Sequence, residues 1–204
     1  MKKVYDTINQ YCVEHDLLTN GDGIVIGLSG GVDSVCLLQV LAALRNEWQL
    51  RLVCVHVHHG IRGTAADEDA AFAQRLAAKY NISFRLYEMD IPQLAKEQGL
   101  SEEEAGRNYR YRCFEEVRKE LNFDKIAVAH HRDDQAETVL WQILRGSGLR
   151  GVCGMRAGRA NIIRPLLCLD RQQIEQIVRE NGDGWREDAT NREEKYTRNK
   201  IRNR

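Results

Sequence analysis

The stretch IVIGLSGGVDS, residues 24–34, decides the fold. Ile24, Val25 and Ile26 read as a buried strand, and the chain then turns through Gly30 and Gly31 into apolar residues at helical spacing. Adjacent glycines let the backbone fold tightly and point its N–H groups at an anion. The helix opening near Asp33 adds the positive end of its dipole. Ser29 and Ser34 can donate hydrogen bonds to phosphate oxygens. Asp33 faces a phosphate productively only through a cation, so Mg2+ is expected there. The G-x-x-x-x-G-K-[ST] pattern of the common triphosphate loop is missing. A bare strand–helix turn with an aspartate cap is the alternative, but the paired Ser-Gly-Gly and Asp-Ser elements favour a phosphate cradle.

Outward from this stretch, apolar runs alternate with helical patterns. Residues 24–28, 50–58, 82–88, 125–129 and 161–166 read as strands, and 33–46, 64–80, 101–121, 132–145 and 170–181 as helices. The alternation predicts an α/β fold, a parallel twisted sheet of about five strands with helices on both faces. In such sheets ligands bind beyond the carboxyl ends of the strands, so the loops after the strands are where chemistry is expected.

Composition sets outer bounds. The 204 residues are 43% hydrophobic and 29% charged, ordinary for a globular domain. No run approaches the roughly 18 apolar residues of a membrane span, and the polar N-terminus lacks a signal-peptide core. A cytoplasmic protein without membrane contact is expected. The six cysteines never form a C-x-x-C pair and read as reduced packing residues, with a zinc or iron–sulfur site less favoured. Net charge is zero but uneven: residues 145–204 carry 14 Lys and Arg against 8 Asp and Glu. Such a basic third suits local phosphate contacts or merely a solvated helical face.

Residues 129–148, AHHRDDQAETVLWQILRGSG, bring two histidines and three carboxylates to the start of a helix. Asp134 and Glu137 share a face of its first turn. Dipole complementarity explains carboxylates there, but Glu137 beside Val139 and Leu140 calls for a positive partner, which favours a functional reading. In HVHHGIRG, residues 56–63, a third ligand to complete a zinc site is missing, and His58, His59 and Arg62 read as a nucleotide-binding loop. Arg107 and Arg110 lie one helical turn apart, suited to phosphate or carboxylate, or to surface pairing with Glu103 and Glu104. Gly146–Gly151 satisfies G-x-G-x-x-G but follows a helix, the wrong context for a dinucleotide fingerprint. Near the end, Arg198 and Arg202 with Tyr196 suit RNA phosphates and stacking if helical, or form a solvated helix.

Ser29-Gly30-Gly31-Val32-Asp33-Ser34 resembles the SGGxDS signature of the PP-loop ATP pyrophosphatases, which cleave ATP to AMP and pyrophosphate. The further order of HVHHGIR, Arg110-Tyr111, AHHRDDQAETVLWQILRGSGLRGVCGM, Arg164-Pro165-Leu166-Leu167, Asp188, Asn191, Arg198-Asn199 and Ile201-Arg202 resembles the tRNA(Ile)-lysidine synthetase branch. The resemblance implies ATP and Mg2+ as cofactors, with L-lysine and a CAU-anticodon tRNA(Ile) as partners. It implies Ser29, Gly30, Gly31, Asp33, Ser34, His58 and Arg62 around ATP, and Asp33 on Mg2+. Asp134 and Glu137 match acidic positions that hold lysine and supply a base, and Asp133 helps place them or the metal. Arg110 and Arg198 match positions that steady phosphate or the lysine carboxylate, with Arg107, Arg145 and Arg202 toward lysine or tRNA, and His131 near the transferring phosphoryl group. Gly106 stands where that branch more usually has alanine, a change worth under about 1 kcal/mol of helix stability. Residues 1–204 are expected to form one catalytic domain, with 182–204 a basic segment leading toward further domains. A PP-loop tRNA thiolase and a non-enzymatic ATP-binding regulator stay open as alternatives.

Overall fold

The computed structural model describes residues 2–58, 64–146 and 153–186. In chain order the elements are α1 (Lys2–Glu14), β1 (Gly23–Gly27), α2 (Val32–Leu44), β2 (Arg51–His58), α3 (Thr64–Lys79) and β3 (Ser83–Glu88). There follow α4 (Ile91–Gln98), α5 (Glu102–Glu120), β4 (Lys125–Ala127), α6 (Arg132–Leu144), β5 (Gly158–Arg159), β6 (Ile162–Ile163) and α7 (Arg171–Glu180). The expected α/β architecture is present, with strand order β3-β2-β1-β4-β6-β5. Every pairing is parallel except that of β5 with β6.

Burial on both faces explains why the central strands lack polar alternation. Along β1, Ile24 and Ile26 join the apolar layer under α1, α2 and α7, while Val25 joins the opposite layer under α4 and α5. In α2, ten of thirteen residues are buried, so the helix carrying the glycine loop is held from almost every side.

The structure departs from the sequence expectation at the edges. The sheet has six strands rather than about five, because Gly158–Arg159 adds a short antiparallel strand. The strand expected at 161–166 is confined to Ile162–Ile163, and Pro165 then opens a 3-10 turn through Cys168. Proline fixes φ and has no N–H to donate, which ends the ladder there. Two helices escaped the sequence reading. In α1, Ile8 and Cys12 are fully buried at helical spacing amid polar neighbours. The eight-residue α4 carries its own signals: Asp90 accepts the Gln93 N–H at 3.0 Å, Pro92 lies in the first turn, and Gly99 ends it at φ 65°.

The loop after α7 closes onto the body. Asp183 accepts hydrogen bonds from Lys79, from the Tyr80 hydroxyl at 2.6 Å and from the Gln39 amide at 2.7 Å. Residues 183–186, which the sequence reading assigned to an outgoing basic segment, therefore pack on the α/β body.

Candidate active site

Between β1 and β4 the winding reverses: the chain steps outward from β1 to β3, then returns to β4 on the other side. Such a switch point opens a crevice at the carboxyl ends of the two strands. The loop 28–31 leaves β1 there, and residues 128–131 leave β4 there. The fold thus brings together two motifs about a hundred residues apart in sequence.

The glycine loop is organised by one hydroxyl. Ser34 Oγ accepts the Ser29 and Gly30 N–H groups at 3.2 and 3.1 Å and donates to the Gly31 carbonyl at 2.8 Å. Ser29 Oγ lies 3.1 Å from it. Ser34 is buried, so this hydroxyl shapes the cradle from below, while Ser29 is exposed at its rim. Gly30 sits at φ 92°, a conformation that strains any side-chain-bearing residue. Its carbonyl accepts the Arg186 N–H at 2.9 Å, and the Arg186 guanidinium pairs with Asp69 and Glu68. Helix α2 has Gly31 as its N-cap and therefore no side-chain cap, which leaves its dipole to an incoming anion.

Across the crevice, His131 is the N-cap of α6 and only 1% exposed. Its Nδ1 accepts the Asp133 N–H at 3.3 Å, so a neutral ring carries its proton on Nε2. That nitrogen faces Asp134 at 3.5 Å and Asp33 at 3.8 Å. Asp134 in turn accepts the His131 N–H at 3.0 Å, completing a capping box. The sequence reading set capping against function for Asp134; the structure shows the capping bond and also places the residue in the cleft wall.

A cleft of about 530 Å³ adjoins this junction. Asp134, Glu137 and Thr138 of α6 line it, together with Arg107 of α5, His130, Arg156, Arg159 and Arg164. Arg164 is 8% exposed and donates to His130 Nδ1 at 3.3 Å and to the Arg156 carbonyl at 2.9 Å. Burial, with Arg107 and Arg159 near, pulls its pKa below the usual arginine value. A guanidinium so placed favours an anionic ligand. One wall is clamped by Gln135, whose amide donates to the Met155 carbonyl at 3.1 Å and accepts the Met155 N–H at 2.6 Å.

Of the residues expected from sequence, Asp33, His131, Asp133 and Asp134 meet at the junction, and Arg107 and Glu137 line the cleft. Arg110 is exposed on α5 and lies outside the cleft lining. Arg145 is exposed beyond the end of α6, 4.3 Å over the Trp141 ring. His58 ends β2 with Nε2 3.4 Å from Asp67. Arg62, Arg198 and Arg202, with His59 and Tyr196, lie outside the described residues. Sequence reasoning missed Arg171, which reaches Asp33, and the arginines at 156, 159 and 164 as cleft residues. Their crowding within ten residues was the available signal.

This loop, sheet order and switch-point crevice define an α/β class with a glycine-loop anion cradle, and the chain belongs to the PP-loop domain family, which matches residues 2–204. Within that class it is similar to curated tRNA(Ile)-lysidine synthases. It is 48% identical over 202 residues to that of Caldanaerobacter subterraneus subsp. tengcongensis, covering 99% of this chain and 42% of the relative. To that of Clostridium tetani it is 42% identical over 200 residues, covering 98% and 42%. The chain thus spans less than half the length of the relatives it matches. Among solved structures, the U34-tRNA thiolase NcsA from Methanococcus maripaludis superposes with a TM-score of 0.77 at 19% identity, covering 98% of this chain and 69% of that one. The NH3-dependent NAD synthetase from Campylobacter jejuni follows at 0.59 and 17%, covering 89% and 73%. Both likenesses concern the fold.

Proposed function

We propose that this chain is the catalytic domain of a cytoplasmic tRNA(Ile)-lysidine synthase, joining L-lysine to C2 of the wobble cytidine in a CAU-anticodon tRNA(Ile). The observation that carries the reading is a cleft lined by Asp134 and Glu137 together with Arg107, Arg156, Arg159 and Arg164, and linked through His131 to Asp33 beside the glycine loop. A zwitterionic amino acid with a second ammonium matches both signs of charge. Asp134 and Glu137 suit the ammonium groups, and Arg107 and Arg164 suit the carboxylate. Cytidine O2 attacks the α-phosphate and pyrophosphate leaves. The ε-amine, having lost a proton from a group of pKa ~10.4, then attacks C2 and expels AMP. Asp134 or Glu137 accepts that proton.

The donor chemistry fits Mg2+ of the shared kind. Among the described residues no group of three or more ligating side chains is poised for a metal ion. Asp33 supplies one carboxylate at the mouth of the cradle, and Mg2+ commonly takes one or two carboxylates with its remaining positions on phosphates and water. Bound there, the ion would offset phosphate charge. A thiolase has less support, because Cys12, Cys36, Cys54 and Cys113 are buried in the core, and the two more accessible cysteines, Cys153 and Cys168, lack the close spacing of a C-x-x-C pair.

The deciding experiment follows α-labelled ATP with Mg2+, CAU-anticodon tRNA and each amino acid in turn. AMP release that needs both tRNA and lysine supports the reading; ADP in place of AMP sinks it. Two variants probe the parts. Ser34→Ala leaves the Ser29 and Gly30 N–H groups without their acceptor, at about 1–3 kcal/mol, and is expected to weaken ATP binding about tenfold by calorimetry. Gly154→Ala forces a Cβ to within 2.5 Å of the Gln135 amide at φ 59°. The clamp should open and the KM for lysine rise about tenfold, roughly 1.4 kcal/mol of lost binding, with ATP affinity unchanged.

A further inference from the structure

Arg171 has no role in the scheme above, yet it touches both sides of the crevice. It is the first residue of α7, where a cation opposes the helix dipole. Its Nη1 donates to both oxygens of Asp33, at 3.0 and 3.1 Å, across 138 residues of sequence. Its Nε donates to Glu175 at 2.9 Å, and its own N–H donates to Asp133 at 3.2 Å. The side chain is not what holds α7 down. Asp170 caps the helix and pairs with Arg132, while Ile174, Ile177 and Val178 are buried in the core.

Both partners are partly exposed at the mouth of the cradle, Arg171 at 35% and Asp33 at 30%. The carboxylate expected to meet a phosphate-bound cation is thus covered by a guanidinium. A polyphosphate arriving over the α2 N-terminus comes into reach of that guanidinium, which prefers a multiply charged anion and binds it with several N–H groups.

We propose that Arg171 binds the pyrophosphate half of the nucleotide, turning from Asp33 onto the β- and γ-phosphates and releasing the Asp33 carboxylate for the cation. The inference rests on the ATP reading given under the proposed function.

Calorimetric titration of the chain and of Arg171→Gln and Arg171→Lys with ATP, inorganic pyrophosphate and AMP, all with Mg2+, tests it. Arg171→Gln should weaken ATP and pyrophosphate about 10- to 100-fold, leave AMP within about twofold and melt within a few degrees of the parent, with Arg171→Lys, which keeps the charge but not the planar fork, recovering only part of the loss. Unchanged ATP and pyrophosphate affinity in Arg171→Gln overturns the inference and leaves the ATP reading intact. Equal losses for all three ligands with a lowered melting temperature reduce Arg171 to a structural role and also overturn it. A parent chain that binds neither ATP nor pyrophosphate fails the ATP reading itself.

Discussion

Asp134→Asn is expected to release AMP in response to lysine about 10²- to 10⁴-fold more slowly than the parent, the usual range for a lost proton acceptor. On the proposed function, the neutral amide removes one of the two carboxylates, Asp134 and Glu137, assigned to the lysine ammonium, and cannot take up its proton. Stability should change little. An asparagine oxygen can still accept the His131 N–H that Asp134 now accepts, so the capping box survives. Asp134→Ala, which loses that bond too, should cost about a further 1 kcal/mol of stability. Single-turnover assays separate the half-reactions: pyrophosphate release from ATP and tRNA should persist in Asp134→Asn, while the lysine-dependent step stalls. Equal loss of both steps would place Asp134 in nucleotide activation instead. Unchanged AMP release would remove it from the chemistry altogether.

For stability, the largest expected loss is at Asp183. Its side chain is 5% exposed and accepts from Gln39, itself 2% exposed, and from Tyr80. Asp183→Ala takes the acceptor from both donors, at about 1–3 kcal/mol each, so roughly 2–6 kcal/mol in all. Lys79 is half exposed and rehydrates, adding little. At about 2–4 °C per kcal/mol for a chain of this size, the melting temperature should fall by about 4–24 °C. A pH signature accompanies it. Burial alone would raise the Asp183 pKa, but hydrogen bonds from Lys79, Tyr80 and Gln39 outweigh it and hold the carboxyl below its ordinary 3.8. A carboxyl held lower in the folded state contributes fully above the unfolded value and loses that contribution as pH falls through the folded one. Parent and variant melting temperatures should therefore differ by a constant amount above about pH 5 and converge in stronger acid. A gap that persists unchanged to the acid end would assign the loss to packing rather than to the ionised carboxylate.

Much of the molecule was legible from local pattern. The strand–loop–helix at residues 24–34 depends on β-branched residues, two glycines and a helical apolar run, all adjacent in sequence. The same holds for the α6 start, where the capping partners His131 and Asp134 lie three residues apart. Sequence also identified α/β alternation and pointed to the loops after β1 and β4, which the sheet order brings to one switch point. It did not reveal α1 or α4, although both carry local signals: Ile8 and Cys12 lie at helical spacing in α1, and α4 is marked by the Asp90 cap, Pro92 and Gly99.

Tertiary structure alone decided which charges meet. Asp33 faces His131 and Arg171, and Arg164 faces His130, through contacts that no spacing rule encodes. Arginines look alike in sequence: Arg107 lines the cleft while Arg110, one turn on, does not, and Arg171 reaches the glycine loop from a helix read only as the last of the series. Local conformation follows from neighbouring residues through sterics and backbone hydrogen bonding, which is why a single chain suffices to read it. The partner of a side chain is set by how sheet order and helix packing bring distant segments together, and in this chain the reversal between β1 and β4 is what makes a site of them.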